Sequence, residues 1–352
     1  MRLLLTAILA AFIAISTSAQ VPQTFSASEE YTPRVFPVEG DKKKSIRKAD
    51  KKTTEARPFA AARITIPVSV FDQNGEFVRS IPSDSFKLLV DGQEVPITSV
   101  TTDPQPVSIV LLIDMSPSGE DQKKERFAYA NSLIDSLGPE DKAIVFSLTT
   151  KLKQRSELTG DKEALKKAVS KLGMGDGTAI YDALREFYSA HLPTVPGRKA
   201  VVLLTDGVDT TSRESTFSDS LEFAERFEVP AFPIFFDTYP DMIKRQKALP
   251  PILQELFSAK QRGQMANLQE QLRQTGIAYL NDLVMVSGGR AIDHGSAVQG
   301  VGQIKTTIPD EVRNQYLLKA EIPEGSNPRA RISVKVLRPS LKVRARGSFL
   351  RN

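Results

Sequence analysis

Four short segments of the chain are apolar almost throughout, and they constrain the fold more than any other feature of the sequence. They span residues 107–113, 143–148, 200–204 and 231–236. Segments with apolar residues at helical spacing lie between them, as in residues 127–137. A strand that is apolar on both sides needs cover on both sides, which is typical of parallel sheets flanked by helices. We therefore predict an α/β domain with a doubly wound, mostly parallel sheet over residues 105–312.

Residues before this domain predict a small β module over residues 61–104. Apolar and polar residues alternate over 64–70, as in a half-buried strand, and Asn74-Gly75 is a strong tight-turn signal. Further strands are predicted at 86–90 and 95–100. Such a module is too short to bury a core alone, so we expect it to pack on a neighbour.

Two later segments depart from the alternation of strands and helices. Residues 238–275 are rich in Gln and Lys and contain three prolines, and we predict a partly helical insertion there. This insertion leaves the strand 231–236 at its carboxyl end, so we expect it beside any site at that edge of the sheet. Residues 313–352 contain alternating apolar residues again and are predicted to form a C-terminal β segment.

The N-terminus has the features of an export signal. A basic Arg2 precedes an apolar run over residues 3–15, and small residues precede Gln20. That run is shorter than the ~20 residues that span a bilayer. We therefore predict a cleaved signal over residues 1–19, no transmembrane anchor, and an exported protein that is periplasmic or secreted.

The positive charge of the chain is concentrated in the segment that follows the signal. The net charge is +5, and residues 41–52 alone carry seven basic and two acidic side chains. Residues 20–60 are therefore predicted to be a charged linker, and we expect no nucleic-acid binding because no basic face remains elsewhere. The chain has no cysteine and two histidines, which excludes thiolate chemistry and disfavours a zinc enzyme.

Oxygen-bearing side chains occupy three loops at the predicted carboxyl edge of the sheet. Asp114, Ser116 and Ser118 end the first buried strand, Thr178 follows a Gly-rich turn, and Asp206 follows the strand 200–204. Ligands of open α/β sheets bind at this edge. Oxygen donors without His or Cys suit a hard cation such as Mg²⁺, Mn²⁺ or Ca²⁺ and not zinc.

These three segments together resemble the metal-ion-dependent adhesion site of the von Willebrand factor A domain family. The matching elements are D-x-S-x-S at residues 114–118, Thr178 after its glycines, and Thr205-Asp206-Gly207. The flanking β segments resemble a subgroup, the bacterial exported VWFA-related Acidobacterial domain proteins. Its hairpin, N-x-Y-x-L and V-x-A-R-G-x patterns are similar to residues 72–78, 314–318 and 343–348.

The resemblance implies a role for each residue of the site. Ser116 and Ser118 would bind the cation directly, Thr178 directly or through water, and Asp114 and Asp206 mostly through waters. We expect Mg²⁺, with Mn²⁺ or Ca²⁺ as alternatives. Two carboxylates balance the charge of the ion while neutral hydroxyls leave it electrophilic, so it can accept a carboxylate from a partner. The implied function is non-enzymatic, metal-dependent binding of a protein ligand through an acidic side chain.

Other interpretations of the same residues remain open. Residues 114–118 alone could cap the following helix, Asp209 reads as a turn residue, and His191 and His294 as packing residues. A second function is a structural part of an envelope or secreted assembly, in which the cation only stabilises the fold. A third, a metal-dependent phosphohydrolase, would need a general base or a second cation, for which we find no further acidic cluster.

Overall fold

The computed structural model describes residues 61–102, 104–250, 259–293, 301–325, 327–338 and 340–351. The predicted export signal, the predicted linker and His294 lie outside the described residues.

Strands and helices of the described chain are numbered in order. The strands are β1 (Ala62–Phe71), β2 (Phe86–Val90), β3 (Gln93–Val95), β4 (Ile97–Thr101), β5 (Val107–Asp114), β6 (Lys142–Leu148), β7 (Leu152–Gln154), β8 (Arg198–Thr205), β9 (Ala231–Phe235), β10 (Ile292–Asp293), β11 (Tyr316–Ile322), β12 (Arg329–Val336), β13 (Lys342–Arg344) and β14 (Ser348–Leu350). The α-helices are α1 (Lys123–Asp135), α2 (Lys162–Ser170), α3 (Ile180–Glu186), α4 (Phe217–Arg226), α5 (Tyr239–Lys247), α6 (Ala259–Ser287) and α7 (Val301–Asn314).

A six-stranded sheet with the order β10-β9-β8-β5-β6-β7 forms the centre of the α/β domain. Its strands are parallel except for β7, which pairs antiparallel with β6 at one edge. All eight residues of β5 are buried. Ile113 of β5 pairs with Leu204 of β8, so Asp114 and Thr205 end their strands side by side. The predicted fold class is confirmed.

Helices cover this sheet on both faces. Alternate residues of β5, including Ile109 and Leu111, share a core with Leu133 of α1, Leu165 of α2 and Ile308 of α7. The remaining buried residues of β5 face the other side, where α3, α4 and α6 contact one another. Two-sided burial is the reason that these strands are apolar throughout.

The β segments before and after the α/β domain form two antiparallel sheets together. One has the order β13-β1-β11-β4 and the other β14-β12-β2-β3. A shared core lies between them and contains Ile66 and Val68 of β1, Leu88 of β2 and Leu318 of β11. Each sheet therefore contains strands from both ends of the described chain, and this supplies the neighbour that the short N-terminal module needs. The boundaries placed at residues 104 and 313 stay a prediction.

One predicted strand needs correction, and one helix was not predicted. The predicted strand 95–100 is two strands, because Pro96 lacks an amide hydrogen and β3 and β4 pair in different sheets. The described part of the predicted insertion 238–275 is mostly helical, as α5 and the first part of α6, and its end at residue 275 lies within α6. Helix α7 was not predicted, and its internal proline Pro309 reads as a helix-breaking signal.

The long helix α6 does not have the composition of a membrane span. Within the described ranges, no helix is both long and apolar enough to cross a membrane.

Candidate metal centre

Asp114 ends β5 and is fully buried at the carboxyl edge of the sheet. Its Oδ1 accepts a hydrogen bond of 2.9 Å from the amide of Ser116, and its Oδ2 accepts one of 2.7 Å from the hydroxyl of Thr205. Both carboxylate oxygens are therefore held in fixed directions, and the turn after β5 folds back over them.

Ser116 and Ser118 flank Pro117 in the short turn that follows β5. Their hydroxyl oxygens lie 3.1 Å apart, and the hydroxyl of Ser118 donates a hydrogen bond of 2.8 Å to Oδ2 of Asp206. Asp114, Ser116, Ser118 and Asp206 are thus joined in one hydrogen-bonded set. Ser118 is the partly exposed member, whereas the other three are buried.

Thr178 is joined through its backbone to Thr210, in the loop that follows Asp206. Its carbonyl accepts a hydrogen bond of 2.8 Å from the amide of Thr210, and its own amide donates to the hydroxyl of Thr210 at 3.0 Å. The Gly-rich turn before it is tied to the loop after β5 by a bond of 2.8 Å from the amide of Gly175 to the carbonyl of Met115. The loops of the three predicted segments are therefore fastened to one another.

Thr205 and Thr238 also contribute hydroxyl groups to the site, and the sequence analysis did not assign them. Thr205 bridges the two segments, because it donates to Asp114 and accepts from the amide of Gly207 at 2.9 Å. Thr238 follows β9 and donates a hydrogen bond of 2.8 Å to Oδ2 of Asp206. Asp206 was selected from the sequence because it follows a buried strand at its carboxyl end, and Thr238 has the same position after β9.

Gly207 allows α6 to pack against the turn that follows Asp206. Its φ is +75°, and a Cβ at this position would lie 2.6 Å from the carbonyl oxygen of Gly276. A side chain here would therefore displace either the turn or the helix. The glycine of the Thr205-Asp206-Gly207 segment has a packing role.

The electrostatic balance of the site depends on three buried charges. Burial raises the pKa of Asp206, and the negative charge of Asp114 raises it further, whereas the positive charge of Arg126 opposes both effects. Arg126 of α1 is buried and donates from Nη1 to the carbonyl oxygen of Asp114. The two carboxylates therefore share a desolvated region with one guanidinium.

Helix α5 lies against the loop that carries Ser118. Arg245 donates to the carbonyl of Ser118 at 2.9 Å and pairs with Asp121 at 2.9 Å. Gln122 donates to the carbonyl of Asp237 at 2.7 Å and to the carboxylate of Asp241 at 2.9 Å. The expectation that the insertion stands beside the site is confirmed for this helix.

Asp209 and His191, which the sequence indicates to be a turn residue and a packing residue, both make contacts with neighbouring parts of the fold. The carboxylate of Asp209 accepts hydrogen bonds from the amides of Tyr181 and Ser212 at 3.2 and 3.1 Å, as expected of a turn residue. The centre of the His191 ring lies 4.9 Å from the centre of the Phe146 ring, so the two rings pack together.

The donors of the candidate site are mostly hydroxyl groups. Across the described residues, no group of three or more His, Cys, Asp or Glu side chains is placed to hold a metal ion. The site has two carboxylates, so any cation here would take its remaining ligands from hydroxyl groups and water.

Comparisons with known proteins were made for the sequence and for the structure. No family model and no curated protein sequence matches the chain. Similar solved structures include an aerotolerance-related membrane protein from Bacteroides fragilis, with 14% identity, coverage of 58% of this chain and 98% of the other, and a TM-score of 0.40. A von Willebrand factor type A protein from Catenulispora acidiphila has 12% identity, coverage of 86% and 74%, and a TM-score of 0.39.

A third similar structure is proximal thread matrix protein 1 from the mussel byssus, described with a zinc-occupied MIDAS motif. It has 14% identity, coverage of 65% of this chain and 50% of the other, and a TM-score of 0.39. All three TM-scores are below 0.5, so the fold class stated above rests on the strand order and register of this chain.

Proposed function

We propose that this chain is an exported protein with a von Willebrand factor A-type domain that binds a protein ligand through a divalent cation. The cation is held by Asp114, Ser116, Ser118, Thr178 and Asp206. The observation that carries the proposal is the position of the Ser118 hydroxyl, which lies 3.1 Å from the Ser116 hydroxyl and 2.8 Å from the Asp206 carboxylate.

These oxygen spacings fit a small octahedral cation. Metal–oxygen distances of about 2.0–2.1 Å place neighbouring ligand oxygens about 3 Å apart, whereas the longer bonds of Ca²⁺ require wider spacing. The separation of 3.1 Å between the hydroxyl oxygens of Ser116 and Ser118, the two residues expected to bind the cation directly, has the length of such an octahedral edge. This supports Mg²⁺ or Mn²⁺ as the cation.

The residues of the site divide into charge-balancing and neutral donors. Asp114 and Asp206 are buried and held by hydrogen bonds from Thr205, Ser118 and Thr238. These bonds orient the carboxylates, while the hydroxyls of the site add no further negative charge. When bound, the cation supplies an electrophilic position for a carboxylate of the partner.

The exposed surface of α5 supports an acidic ligand. Its last turn carries Lys244, Arg245 and Lys247, all exposed. Arg245 donates a hydrogen bond to the carbonyl of Ser118, so these basic side chains lie next to the site. We propose that Lys244 contributes to attraction of an acidic ligand, since a positive surface beside a binding site raises the rate of association with acidic partners.

A crosslinking pull-down from the native envelope tests the function. We expect wild-type protein to capture a partner with Mg²⁺ and to lose it in chelator. Ser116→Ala/Ser118→Ala should abolish capture, whereas Ser170→Ala/Ser189→Ala, which changes exposed serines on other helical segments, should not. Lys244→Glu should weaken capture, with Lys319→Glu, at an exposed position of β11, as the control. Equal recovery with and without chelator would contradict metal-dependent binding.

A structural cation is the second candidate function, and the burial of the site favours it. Asp114, Ser116, Thr178 and Asp206 are each at most 3% exposed. A cation held only by buried oxygens would stabilise the fold and leave no position for a ligand. In that case, Mg²⁺ should raise the melting temperature while the partners recovered stay the same in chelator.

We propose a binding protein and not an enzyme, because among the described residues no group of three or more acidic or His side chains is placed to hold a metal ion, so none supplies a second cation beside the first. Turnover of a panel of phosphoesters with Mg²⁺ or Mn²⁺ tests this. Turnover that Ser116→Ala/Ser118→Ala abolishes would contradict it.

A further inference from the structure

Arg126 lies beneath the metal-site loop with its side chain 1% exposed. Its Nη1 donates to the carbonyl of Asp114, and its guanidinium carbon lies 5.3 Å from the centre of the Phe236 ring. A Cβ built on Gly119 would come within 2.4 Å of that carbon. Gly119 therefore leaves the space that the guanidinium occupies, and the loop and α1 are built around this side chain.

The charge of Arg126 is not neutralised by direct contact. Nε and Nη2 are buried without a hydrogen-bond partner among the described residues, and Nη1 binds a neutral carbonyl. A guanidinium remains protonated in proteins, and a buried charge is costly unless another charge compensates it. The buried carboxylates of the adjoining loops are Asp114 and Asp206, and the charge of Arg126 favours the ionised form of Asp206.

The formal charges of this region define the effect of a cation. Without a cation, two carboxylates and one guanidinium sum to −1, so the repulsion between Asp114 and Asp206 is partly offset. With a divalent cation, the sum becomes +1, and Arg126 repels the ion. Salt screens these interactions weakly because all three side chains are buried.

We propose that Arg126 is an internal counter-ion of the metal site, which keeps the loops in place when no cation is bound and weakens the binding of the cation. This inference rests on the proposed function. Its consequence is reversible metal binding, since the site is stable in both states. Arg126 is a positioning residue, and its effect on affinity comes from its charge and not from contact with the cation.

Three substitutions separate charge from packing. Arg126→Gln removes the charge but keeps a donor for the Asp114 carbonyl, Arg126→Met removes both, and Arg126→Lys keeps the charge without the planar group. We expect the Arg126→Gln and Arg126→Met proteins to bind Mg²⁺ at least about tenfold more tightly than wild type by calorimetry, because repulsion by a buried charge is lost. The Mg²⁺ affinity of Arg126→Lys should remain within about threefold of wild type.

Stability in chelator is the second readout. The Gln and Met variants should melt at a lower temperature than wild type in chelator, and saturating Mg²⁺ should restore most of the loss. Adding Asp206→Asn to Arg126→Gln should also restore stability in chelator, because the pair of like charges is removed. This double variant keeps the inference testable if the single variants fail to fold without metal.

The outcomes distinguish this inference from the proposed function. If wild-type protein binds no cation, the proposed function is wrong and so is the effect on affinity. If wild type binds Mg²⁺ and the Gln variant binds no more tightly, Arg126 only packs the loop and the inference alone is overturned. A failure of Asp206→Asn to restore stability to Arg126→Gln would also overturn it.

Discussion

A hydrogen bond between Thr238 and Asp206 connects α5 to the candidate metal site. The hydroxyl of Thr238 donates a hydrogen bond of 2.8 Å to Oδ2 of Asp206, the same oxygen that accepts a bond of 2.8 Å from Ser118. Thr238 directly precedes α5, so this bond links the orientation of a site carboxylate to the position of that helix. A shift of α5 should therefore change the orientation of the Asp206 carboxylate, and the reverse.

Thr238→Val should loosen α5 while leaving the shape of residue 238 nearly unchanged. Asp206 loses a donor in a buried position, which costs about 1–3 kcal/mol of stability. We expect faster tryptic cleavage in the last turn of α5, where Lys244, Arg245 and Lys247 are exposed. Thr194→Val, which removes an exposed hydrogen bond to the carbonyl of His191, is the control. Identical cleavage rates in both variants would show that Thr238 does not hold the helix.

Asp206→Asn should leave the stability in chelator unchanged or raise it. The substitution keeps the shape of the side chain but removes the repulsion between two buried carboxylates, Asp114 and Asp206. At the same time, Mg²⁺ affinity should fall because one of two balancing charges is lost. Thermal unfolding in chelator measures the first effect and calorimetry the second. A large loss of stability in chelator would identify Asp206 as a structural residue.

Asp282 should make the protein less stable at neutral pH than at pH 5. It is 6% exposed on α6, and burial raises its pKa to about 6. The folded state therefore retains a proton that the unfolded state releases near pH 4. This contribution is fully present below that pH and is lost as the pH rises through about 6.

Asp282→Asn should consequently raise the free energy of unfolding at pH 7.5 by up to about 3 kcal/mol. The gain should shrink toward pH 5. Urea unfolding at the two pH values measures both, with the exposed Asp84→Asn as a control. A gain of equal size at both pH values would contradict the assignment of the effect to ionisation.

The two flanking β segments should unfold as one unit, because they share a core. Leu88 of β2 and Leu318 of β11 are both fully buried in it. We expect Leu88→Ala and Leu318→Ala each to cost about 2–5 kcal/mol and to lower the same thermal transition. Leu337→Ala, at a leucine that is 57% exposed, should stay within about 0.5 kcal/mol of wild type. Two separate transitions, each shifted by one variant only, would contradict a common core.

The buried strands of the α/β domain could be predicted because strands that are buried on both faces consist almost entirely of apolar residues. The predicted strand 107–113 is observed as β5 (Val107–Asp114), and this strand carries Asp114 to the carboxyl edge. The pairing of strands within the two flanking antiparallel sheets could not be predicted in the same way. Pairing of β1 with β11 joins residues about 250 positions apart, and alternation within a strand does not identify its partner.

The residues that surround the candidate site could not be predicted from the sequence either. Thr238 lies after a predicted strand, but many threonines follow strands, and its bond to Asp206 depends on how α5 packs. Arg126 follows two lysines and a glutamate in α1, and nothing in that charged run marks it as buried. Its burial depends on the small size of Gly119 and on the ring of Phe236, which is distant in sequence.

Calorimetric titration of chelator-treated protein with Mg²⁺ tests the central claim most directly. The account predicts saturable binding of one ion per chain by wild type, and loss of that binding in Ser116→Ala/Ser118→Ala, which should still unfold in one cooperative transition in chelator. Ser170→Ala/Ser189→Ala should bind as wild type does. Equal Mg²⁺ binding by wild type and by Ser116→Ala/Ser118→Ala, or no binding by either, would contradict a cation site at these residues.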